Sequence, residues 1–357
     1  MNILIVANKP PYPPKDGSSI ATLNMAVGLA QSGNRIKILA ISTQKHPCNT
    51  EQIPVELKNL IEFHIVHINT SINLFNATLN LLFSRLPYNI ERFIDNRFSQ
   101  KLSGIITTNR FDLIQIEGLY LFPYIKVIKS LTSTPIVYRS HNLEHEIWQR
   151  ISNNEKSRIK ANYLNLLSRR IRNLELKLTN HVSALVSISK RDEQWFKDNR
   201  FNRPSISIPS GFTKPESNDI TSLANNDLCY LGSLDWIPNQ EGLIWFLDQV
   251  WPTVLKEYPS IKFHVAGRNT PSSIAERLKK EASVIFHGEV DSAQNYLKNY
   301  SIVVVPILSG SGMRVKIVEG MMLGKAIITS AIGLEGIEAA NREQVIVADK
   351  PNDFAKA

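Results

Sequence analysis

The residue types best suited to chemistry lie close together in Pro306–Gly320, which reads PILSGSGMRVKIVEG and follows the apolar run SIVVV. This stretch combines a Gly/Ser segment, two cations and a carboxylate. Glycine leaves backbone N–H groups unobstructed, and the first amides of a helix bind anions. We therefore predict that a helix begins near Gly312 and that the amides of Gly310, Gly312 and Met313 hold a phosphate group.

Two cations, Arg314 and Lys316, follow the glycines. Positive charges at a helix N-terminus oppose the helix dipole by ~0.3–1 kcal/mol each, and a bound diphosphate would reverse that cost. Plain surface charge is the alternative. We predict that both side chains contact a diphosphate.

Glu319 lies eight residues after Ser311. On a helix this places it ~12 Å further along the axis, at ~1.5 Å per residue. A carboxylate at that distance from a phosphate can accept two hydrogen bonds from a ribose diol. An i,i+3 surface pair with Lys316, worth ~0.2–0.5 kcal/mol, is the better explanation when the residue is taken alone.

Several classes of site are disfavoured, because the sequence lacks their motifs. A dinucleotide fingerprint would need a glycine where Val315 stands, and the P-loop pattern GxxxxGK[ST] is absent. The sequence has no HExxH, no His/Cys metal spacing and no acidic DxD triplet. We expect a phosphate compound as co-substrate, with no metal ion and no resident cofactor.

A second group of candidates lies in the first half of the chain. His141, in YRSHNLE, follows a predicted strand, where a lone histidine is more often a hydrogen-bonded structural residue. Glu144 and Glu146 come soon after, and nothing selects either as a base. Gly17 and Ser18 open the first predicted helix, where their amides can be capped or can face a phosphate.

The elements that must position these residues alternate along the chain. Strand-like runs are NILIVA, RIKILAI, FDLIQIEG, TPIVYRS, VSALVSIS, LCYLGSL, IKFHVAG, SVIFHG, SIVVVP and KAIITSA, with helical patterns between them. This is typical of βαβ units in parallel sheets covered on both faces, where ligands bind beyond the carboxyl ends of the strands. The Pro-, Ser- and Asn-rich segment FNRPSISIPSGFTKPESND interrupts the pattern.

We therefore predict an α/β fold with two doubly wound, Rossmann-like domains, at 1–205 and 206–357, facing each other across one cleft. The length of 357 residues also favours two domains. A helical pattern restarts at DFAKA for only about one turn, so we expect the C-terminal helix to be truncated.

Charge and composition limit the partners and the compartment. The net charge of +9 favours an acidic partner, such as a nucleotide, a phospholipid surface or nucleic acid. Cys48 and Cys229 fit neither a disulfide framework nor a zinc site, which agrees with a reducing compartment. No export signal and no apolar run of ~18 residues is present. We expect a cytoplasmic protein, with surface attachment to a membrane left open.

Two basic amphipathic segments bear on that attachment. Ile72–Leu102 mixes apolar and aromatic side chains with arginines, and Glu155–Lys177 is a long helix with clustered Lys and Arg. Such surfaces can lie on an anionic membrane or hold an acceptor. Packing of the first segment on the sheet and simple solvation of the second are the favoured interpretations.

VVVPILSGSGMRVKIVEGMMLGKAIITSAIGLEGIE resembles the donor-site signature of glycosyltransferase family 4, retaining enzymes of the GT-B fold that use nucleotide sugars. Further stretches match the family in its own order: PPYPPKDGSSIATLNMAVGLAQSGNRIKIL, RSHNLE, SISKRDEQWF, IPSGF and LGSLDWIPNQEGLIWFLDQVWPTVLKEYPSIKFHVAGR. The resemblance implies an acceptor-binding N-terminal domain and a donor-binding C-terminal domain.

The resemblance also assigns roles to individual residues. Glu319 corresponds to the second glutamate of the family's E-x7-E motif, which binds the ribose. The first glutamate is replaced by Ser311, whose hydroxyl can still donate and accept a hydrogen bond. Ser233 and Asn239 stand in the segment where the family commonly has an Arg and a Lys for the diphosphate. His141 is expected to contact the transferred sugar or the reaction centre.

For the base and ribose the family uses backbone near AGR and HGEV, which implies Arg268, Gly288 and Val290 as neighbours of the nucleotide. In the expected reaction the acceptor attacks on the face that the diphosphate leaves, and the leaving oxygen takes the acceptor's proton. No carboxylate pair for a covalent intermediate can be assigned.

The resulting hypothesis is a cytoplasmic retaining transferase. It would move a sugar from a nucleotide-diphosphate sugar to a hydroxyl of a glycan or lipid-linked acceptor in cell-surface polysaccharide synthesis, with no nucleic-acid partner. Peripheral contact with the anionic inner face of a membrane is part of this hypothesis. A nucleotide-sugar 2-epimerase-like isomerase and a degenerate nucleotide-sugar-binding protein stay open as alternatives. A periplasmic-type receptor is disfavoured by the missing export signal.

Overall fold

A computed structural model of the chain describes residues 1–211, 225–310 and 312–357. The chain divides into two compact units, Met1–Gly211 (unit 1) and Phe212–Ala357 (unit 2). Each unit is an α/β structure built on its own parallel sheet. No helix of the described residues combines the length and the apolar character needed to cross a bilayer.

Unit 1 contains a seven-stranded sheet in the order β3-β2-β1-β4-β5-β6-β7. Its strands are β1 (Asn2–Ala7), β2 (Arg35–Ser42), β3 (Ile61–His67), β4 (Leu113–Glu117), β5 (Ile136–Ser140), β6 (Ala184–Ser187) and β7 (Ser205–Ser207). The central strands are buried on both faces, as their continuous apolar sequences require.

The helices of unit 1 lie between these strands. They are α1 (Gly17–Gln31), α2 (Val55–Leu60), α3 (Leu74–Phe83), α4 (Tyr88–Glu91), α5 (Asn96–Thr108), α6 (Ile125–Leu131), α7 (Glu144–Asn154), α8 (Arg158–Thr179) and α9 (Lys190–Asp198), with short 3-10 turns at Thr50–Gln52 and Leu119–Tyr124. One apolar cluster includes Phe98, Ile116 and Tyr138, and a second includes Ile5 and Ile38. The two faces of the sheet are therefore both covered.

Unit 2 contains a six-stranded sheet in the order β10-β9-β8-β11-β12-β13. Its strands are β8 (Asn225–Leu231), β9 (Phe263–Ala266), β10 (Val284–Gly288), β11 (Tyr300–Val305), β12 (Ala326–Thr329) and β13 (Ile346–Val347). Its helices are α10 (Ile237–Trp245), α11 (Trp251–Glu257), α12 (Ser272–Lys279), α13 (Ala293–Lys298), α14 (Val315–Met322), α15 (Ala331–Leu334) and α16 (Pro351–Lys356), with a π turn at Phe246–Val250 joining α10 to α11.

The core of unit 2 also has two halves. Phe246, Trp251 and Phe263 belong to one cluster, and Val305 and Ile317 belong to another. The two parallel sheets confirm the predicted α/β class, and the ten strand-like runs of the sequence all contain strands.

Three expectations need correction. The boundary at 205/206 was wrong, because β7 pairs with β6 and the first unit continues to Gly211. The helix expected from Gly312 begins at Val315, because Gly312 has a φ of +82° and lies outside the helix. The packing expected for Ile72–Leu102 holds for α5, whose Phe98 is buried, but most large apolar side chains of α3 are exposed.

Candidate functional site

The strand order of unit 2 reverses between β8 and β11, since the chain proceeds outward in both directions from this pair. Loops leaving the carboxyl ends of two such strands diverge, and the crevice between them is where parallel α/β sheets bind ligands. Here the two loops begin at Gly232 and Pro306. The sheet thus places Ser233 and the predicted phosphate segment at the same edge.

The glycine loop, which we define as residues 309–312, has a geometry that its glycines make possible. Gly310 has a φ of +103°, and a Cβ added there would lie 2.9 Å from the Trp236 ring. Ser309 anchors the start of the loop by donating its hydroxyl to Glu241 Oε2 at 2.6 Å. Ser311, where the family's first glutamate was expected, lies outside the described residues.

Arg314 lies under the glycine loop. Its side chain is buried, its guanidinium lies 5.6 Å from the Trp236 ring centroid, and Nη1 donates to the Gly312 carbonyl. Arg314 is the N-cap residue of α14. The sequence had instead indicated a position in the first turn of this helix. In this arrangement Arg314 supports the loop that carries the amides, and its contact with a diphosphate stays a prediction.

Lys316 enters the site from α14 and meets residues of the loop after β8. Its Nζ donates to Asn239 Oδ1 at 3.0 Å and lies 4.5 Å from the centroid of the Tyr230 ring. Asn239 Nδ2 donates in turn to the Ser233 carbonyl at 2.8 Å. Burial, reinforced by the charge of Arg314, lowers the pKa of the Lys316 ammonium to about 7.

The contact between Lys316 and Asn239 lies in the segment after β8, where this chain lacks the two cations that the family commonly has. Asn239 and Ser233 occupy the segment in which the family commonly has an Arg and a Lys, and the Lys316 ammonium lies beside Asn239. A Cβ added to Gly232 would come within 3.0 Å of Lys316 Nζ and of Asn239 Nδ2. The Lys316 amine therefore reaches this segment from a different element, α14.

Glu319 lies one turn beyond Lys316 on α14. No hydrogen bond or ion pair joins its carboxylate to any part of the chain that the structure describes, and the surface pair with Lys316 is not formed. Burial raises the pKa of the Glu319 carboxyl to about 7. A ligand with hydroxyl donors would satisfy this carboxylate and favour its ionised form.

The other predicted site residues of unit 2 make contacts of different kinds. Arg268 Nε donates to Ser233 Oγ at 3.0 Å, which fixes that serine. Gly288 has a φ of +71°, and its carbonyl accepts from Gly267 N at 2.8 Å. Val290 packs against the apolar core. Met313 is half-buried at the end of the glycine loop.

In unit 1, His141 follows β5 and is buried against Glu117, the last residue of β4. The distance from His141 Nε2 to Glu117 Oε2 is 2.5 Å, and Arg139 Nη1 lies 3.4 Å from the same oxygen. Burial opposes ionisation of Glu117, but Arg139 and His141 outweigh it and lower its pKa to about 2. Burial also lowers the pKa of His141, against the pull of Glu117. His141 is therefore neutral and donates its Nε2–H to Glu117, because an ionised carboxylate can only accept a hydrogen bond.

The start of α1 is occupied by a side chain of the protein. Asp16 accepts from the amides of Ser18 and Ser19, at 3.1 and 2.9 Å, and pairs with Lys9 at 2.8 Å. Burial alone would raise the pKa of Asp16, but Lys9 and these amides hold it well below its usual range. Gly17 and Ser18 therefore begin a capped helix, and a phosphate at this end would compete with Asp16.

The two glutamates after His141 differ in their surroundings. Glu146 accepts two hydrogen bonds from Arg191, at 2.7 and 2.6 Å. Glu144 lies near Tyr120 and Asn142, and burial together with the charge of Glu175 raises its pKa to about 7. The structure therefore distinguishes an ion-paired glutamate, Glu146, from a carboxyl with a raised pKa, Glu144, which the sequence could not do.

Sequence reasoning missed the residues that orient the predicted ones. Tyr230 and Trp236 pack under Lys316 and Arg314, and Glu117 and Arg139 fix His141. The one available signal was Glu117, a charge that ends an apolar strand in LIQIE. In the described parts of the chain, no group of three or more His, Cys, Asp or Glu side chains is arranged to hold a metal ion.

Two family models match the chain. Glycosyltransferase Family 4 matches residues 15–212, more than half of the 357 residues, and Glycosyl transferases group 1 matches residues 225–357. A Klebsiella pneumoniae protein described as an uncharacterized 44.6 kDa protein in the cps region is 25% identical over 366 residues, covering 99% of this chain and 89% of that protein.

Solved structures of similar fold have low sequence identity. Anabaena HepE with UDP and glucose has a TM-score of 0.63 at 14% identity, covering 99% of this chain and 88% of that one. A Staphylococcus aureus TarM variant solved with fondaparinux, α-GlcNAc-glycerol and UDP has a TM-score of 0.68 at 11% identity (99% and 91%). Thermosynechococcus elongatus sucrose-phosphate synthase has a TM-score of 0.70 at 15% identity (100% and 88%).

These likenesses and the two parallel sheets establish the GT-B fold. The family models cover both units, and the family-4 model alone covers more than half of the sequence. The chain therefore belongs to glycosyltransferase family 4 and is a glycosyltransferase.

Proposed function

We propose that the protein transfers a sugar, with retention of anomeric configuration, from a nucleotide-diphosphate sugar to a hydroxyl of a glycan or lipid-linked acceptor. The observation that carries this proposal is the placement of Lys316 and Glu319 one turn apart on α14, at the edge of the second sheet. Lys316 brings an amine to Asn239 in the segment after β8, and one turn away Glu319 offers a carboxylate that no described residue of the protein binds. A cation suits a diphosphate and a carboxylate suits a ribose diol, and a nucleotide carries both of these groups.

A uridine nucleotide is the first donor base to test. HepE and TarM were both solved with UDP, and their folds resemble that of this chain. The glycine-loop amides and Lys316 would stabilise the negative charge that develops on the leaving diphosphate. Ser311 would hold a hydroxyl of the donor sugar, in the place of the family's first glutamate.

The reaction we propose is a same-face displacement. The bond between the anomeric carbon and the diphosphate oxygen breaks, a bond from that carbon to the acceptor oxygen forms, and the acceptor's proton passes to the departing diphosphate oxygen. No metal ion takes part in this scheme. His141, oriented by Glu117, is proposed to contact the transferred sugar.

The proposed biological setting is the synthesis of a surface polysaccharide. Its support is the Klebsiella pneumoniae relative in a cps region, which matches almost the whole chain. An acceptor in such a pathway would be a growing glycan or a lipid-linked sugar, and a lipid-linked acceptor would bring the protein to the inner face of a membrane.

A donor screen by thermal shift, followed by turnover assays, tests the proposal. A nucleotide sugar that binds should raise the melting temperature, because a ligand stabilises the folded state by RT ln(1 + [L]/Kd). With that donor, release of nucleoside diphosphate should require an acceptor, survive EDTA, and give a product of unchanged anomeric configuration by NMR. Sugar epimerisation without an acceptor would support the isomerase instead. Binding without turnover across an acceptor panel would support the degenerate protein.

A further inference from the structure

Helix α3 exposes an unusual set of apolar side chains. Phe75 is 72% exposed and Phe83 is 82% exposed, although both are large and aromatic. The full set of exposed large apolar residues at α3 and its N-terminal approach is Ile72, Leu74, Phe75, Leu79, Leu82 and Phe83. Soluble proteins rarely leave such contiguous surface without an interaction partner.

A stripe on α8 extends this apolar surface. Ile159, Tyr163 and Leu166 are exposed and recur at the spacing of one helix face, and Arg170 continues the same stripe. Arg170 Nη2 donates to the Leu81 carbonyl of α3 at 2.9 Å. The stripe therefore runs toward α3, and the two apolar surfaces adjoin at Arg170. We call these residues together the α3–α8 face.

The dimensions of the α3–α8 face suit a broad partner. At ~1.5 Å per residue, the α3 helix is ~15 Å long and the Ile159–Arg170 stripe is ~18 Å long. Beside α3 lies a cavity of about 440 Å³, whose lining combines polar side chains such as Asn76, Glu91 and Arg92 with the apolar Leu79 and Phe83. An apolar surface next to a recess lined by both polar and apolar side chains resembles the boundary between acyl chains and headgroups more closely than it resembles a protein core.

The charges around the α3–α8 face indicate that its partner is negatively charged. Exposed cations follow α3 at Arg85 and flank the start of the α8 stripe at Lys156, Arg158 and Lys160. The acid Glu155 is engaged by Lys160 at 2.5 Å. Two copies of this chain meeting through the face would bring like charges together, so self-association is disfavoured by the same residues that favour an anionic surface.

We propose that the α3–α8 face docks on an anionic lipid bilayer, with α3 lying in the interfacial plane and its apolar side chains among the acyl chains. The cations at the ends of the face would lie at the level of the lipid headgroups. This inference deepens the proposed function by naming the surface that meets the membrane. Because lipid binding needs no donor or acceptor, its failure can be told apart from a failure of the transferase proposal.

Vesicle co-sedimentation of the full chain tests the inference. Phosphatidylcholine vesicles containing 30% phosphatidylglycerol should bind the protein at least ~10-fold more tightly than phosphatidylcholine alone, and the difference should shrink at high salt. Phe75→Ser with Phe83→Ser should reduce binding at least ~10-fold, because interfacial binding scales with buried apolar area. Lys156→Glu with Arg158→Glu should abolish the preference for anionic lipid while preserving α8, since acidic residues suit a helix N-terminus.

Matched variants at exposed positions outside the face serve as controls. Val55→Ser with Tyr258→Ser matches the apolar pair, and Lys58→Glu with Lys256→Glu matches the charge pair. Both control pairs should bind vesicles like the wild type, and all variants should keep the wild-type circular dichroism spectrum. Equal binding to neutral and anionic vesicles, absence of binding, or wild-type binding by the face variants would each overturn the inference. A dimer in sedimentation velocity that Phe75→Ser with Phe83→Ser dissociates would also overturn it, since the face would then join two copies.

Discussion

Lys316 and Glu319 lie one helical turn apart on α14, and burial disfavours the charged form of each. Both pKa values lie near 7, so a small change in surroundings changes their charge. A diphosphate would favour the Lys316 ammonium, and hydroxyl donors would favour the Glu319 carboxylate. Perturbed groups facing a binding edge are typical of functional sites, and here the perturbation costs stability that a ligand can recover.

Glu319→Gln should weaken UDP binding by roughly 10- to 100-fold, because hydrogen bonds to a charged acceptor contribute about 1.5–3 kcal/mol. The same change should raise the melting temperature at pH 8. The folded-state pKa is raised from 4.5 to about 7, so the stability that protonation gives is lost as pH rises through 7, and glutamine carries no such charge.

Isothermal titration calorimetry and thermal melts measure the two effects. Glu343→Gln, on an exposed glutamate of the same unit, should change neither. Unchanged UDP affinity in Glu319→Gln would remove Glu319 from the site.

Lys316 predicts the pH dependence of nucleotide binding. Its pKa is lowered from 10.5 to about 7 in the unliganded protein and should rise when a diphosphate binds. At a pH between the pKa of Lys316 in the free protein and its pKa in the complex, the complex holds one more proton than the free protein. UDP affinity should therefore fall as pH rises above 7, by at most ~10-fold per unit.

Calorimetry at pH 8 in buffers of different ionisation enthalpy should show proton uptake approaching one per UDP. Lys316→Met should abolish this uptake, and Lys279→Met, at an exposed lysine of α12, should leave it unchanged. Uptake that persists in Lys316→Met would assign the proton to another group.

At the scale of elements, the site depends on how closely α10 approaches the end of β11. A Cβ added to Gly242 on α10 would lie 1.6 Å from the Pro306 carbonyl oxygen, which is backbone and cannot move aside easily. The glycine therefore sets the distance at which α10 presents Asn239 and Glu241 to Lys316 and Ser309.

Gly242→Ala should destabilise the protein by about 3 kcal/mol or more, because an overpacked methyl against backbone forces the helix away. UDP binding should weaken with it, since the partners on α10 move. Gly28→Ala on α1 is the matched control, because nothing lies within 4 Å of the added Cβ. That change should stabilise α1 by ~0.5–1 kcal/mol. Denaturant unfolding measures both, and equal midpoints for the two variants would contradict the close approach.

The sequence was most informative where an element is buried on both sides. The runs NILIVA and SIVVV became β1 and β11, because a strand buried on both faces needs continuous apolar residues. The strands β3, β7 and β13 were missed, since IEFHIVH carries charge and both SIS and IV are short. The Lys316 to Asn239 contact could not be predicted, because it joins residues 77 positions apart whose encounter depends on the sheet order.

At the scale of the whole molecule, each unit has its own sheet and its own core. Each sheet also has a point where its strand order reverses, between β1 and β4 in unit 1 and between β8 and β11 in unit 2. The side chains at the two reversal points differ in their chemistry. Unit 1 presents an ionised Glu117 bound to His141, and unit 2 presents Lys316 and Glu319 beside the glycine loop.

Hydrogen exchange should locate the nucleotide in unit 2. UDP at 100 times its Kd stabilises the folded state by about 2.7 kcal/mol, and opening of the segments that contact it should slow accordingly. We expect slower exchange in 228–241 and 306–323 and little change in the strands β1 and β2. Exchange measured by mass spectrometry with and without UDP checks this, with adenosine as the ligand control that lacks a diphosphate. Protection confined to the start of α1 would place the nucleotide on unit 1.

The packing of Trp236 against the glycine loop has a practical consequence for kinetics. Its indole ring lies close to Gly310 and carries the Arg314 guanidinium at 5.6 Å. Indole emission responds to nearby charge and to the mobility of its surroundings, so this residue acts as a built-in fluorophore at the site. Tyrosine or phenylalanine at the four other tryptophan positions would isolate its signal. Stopped-flow fluorescence of the unlabelled protein could then follow nucleotide association and release in real time.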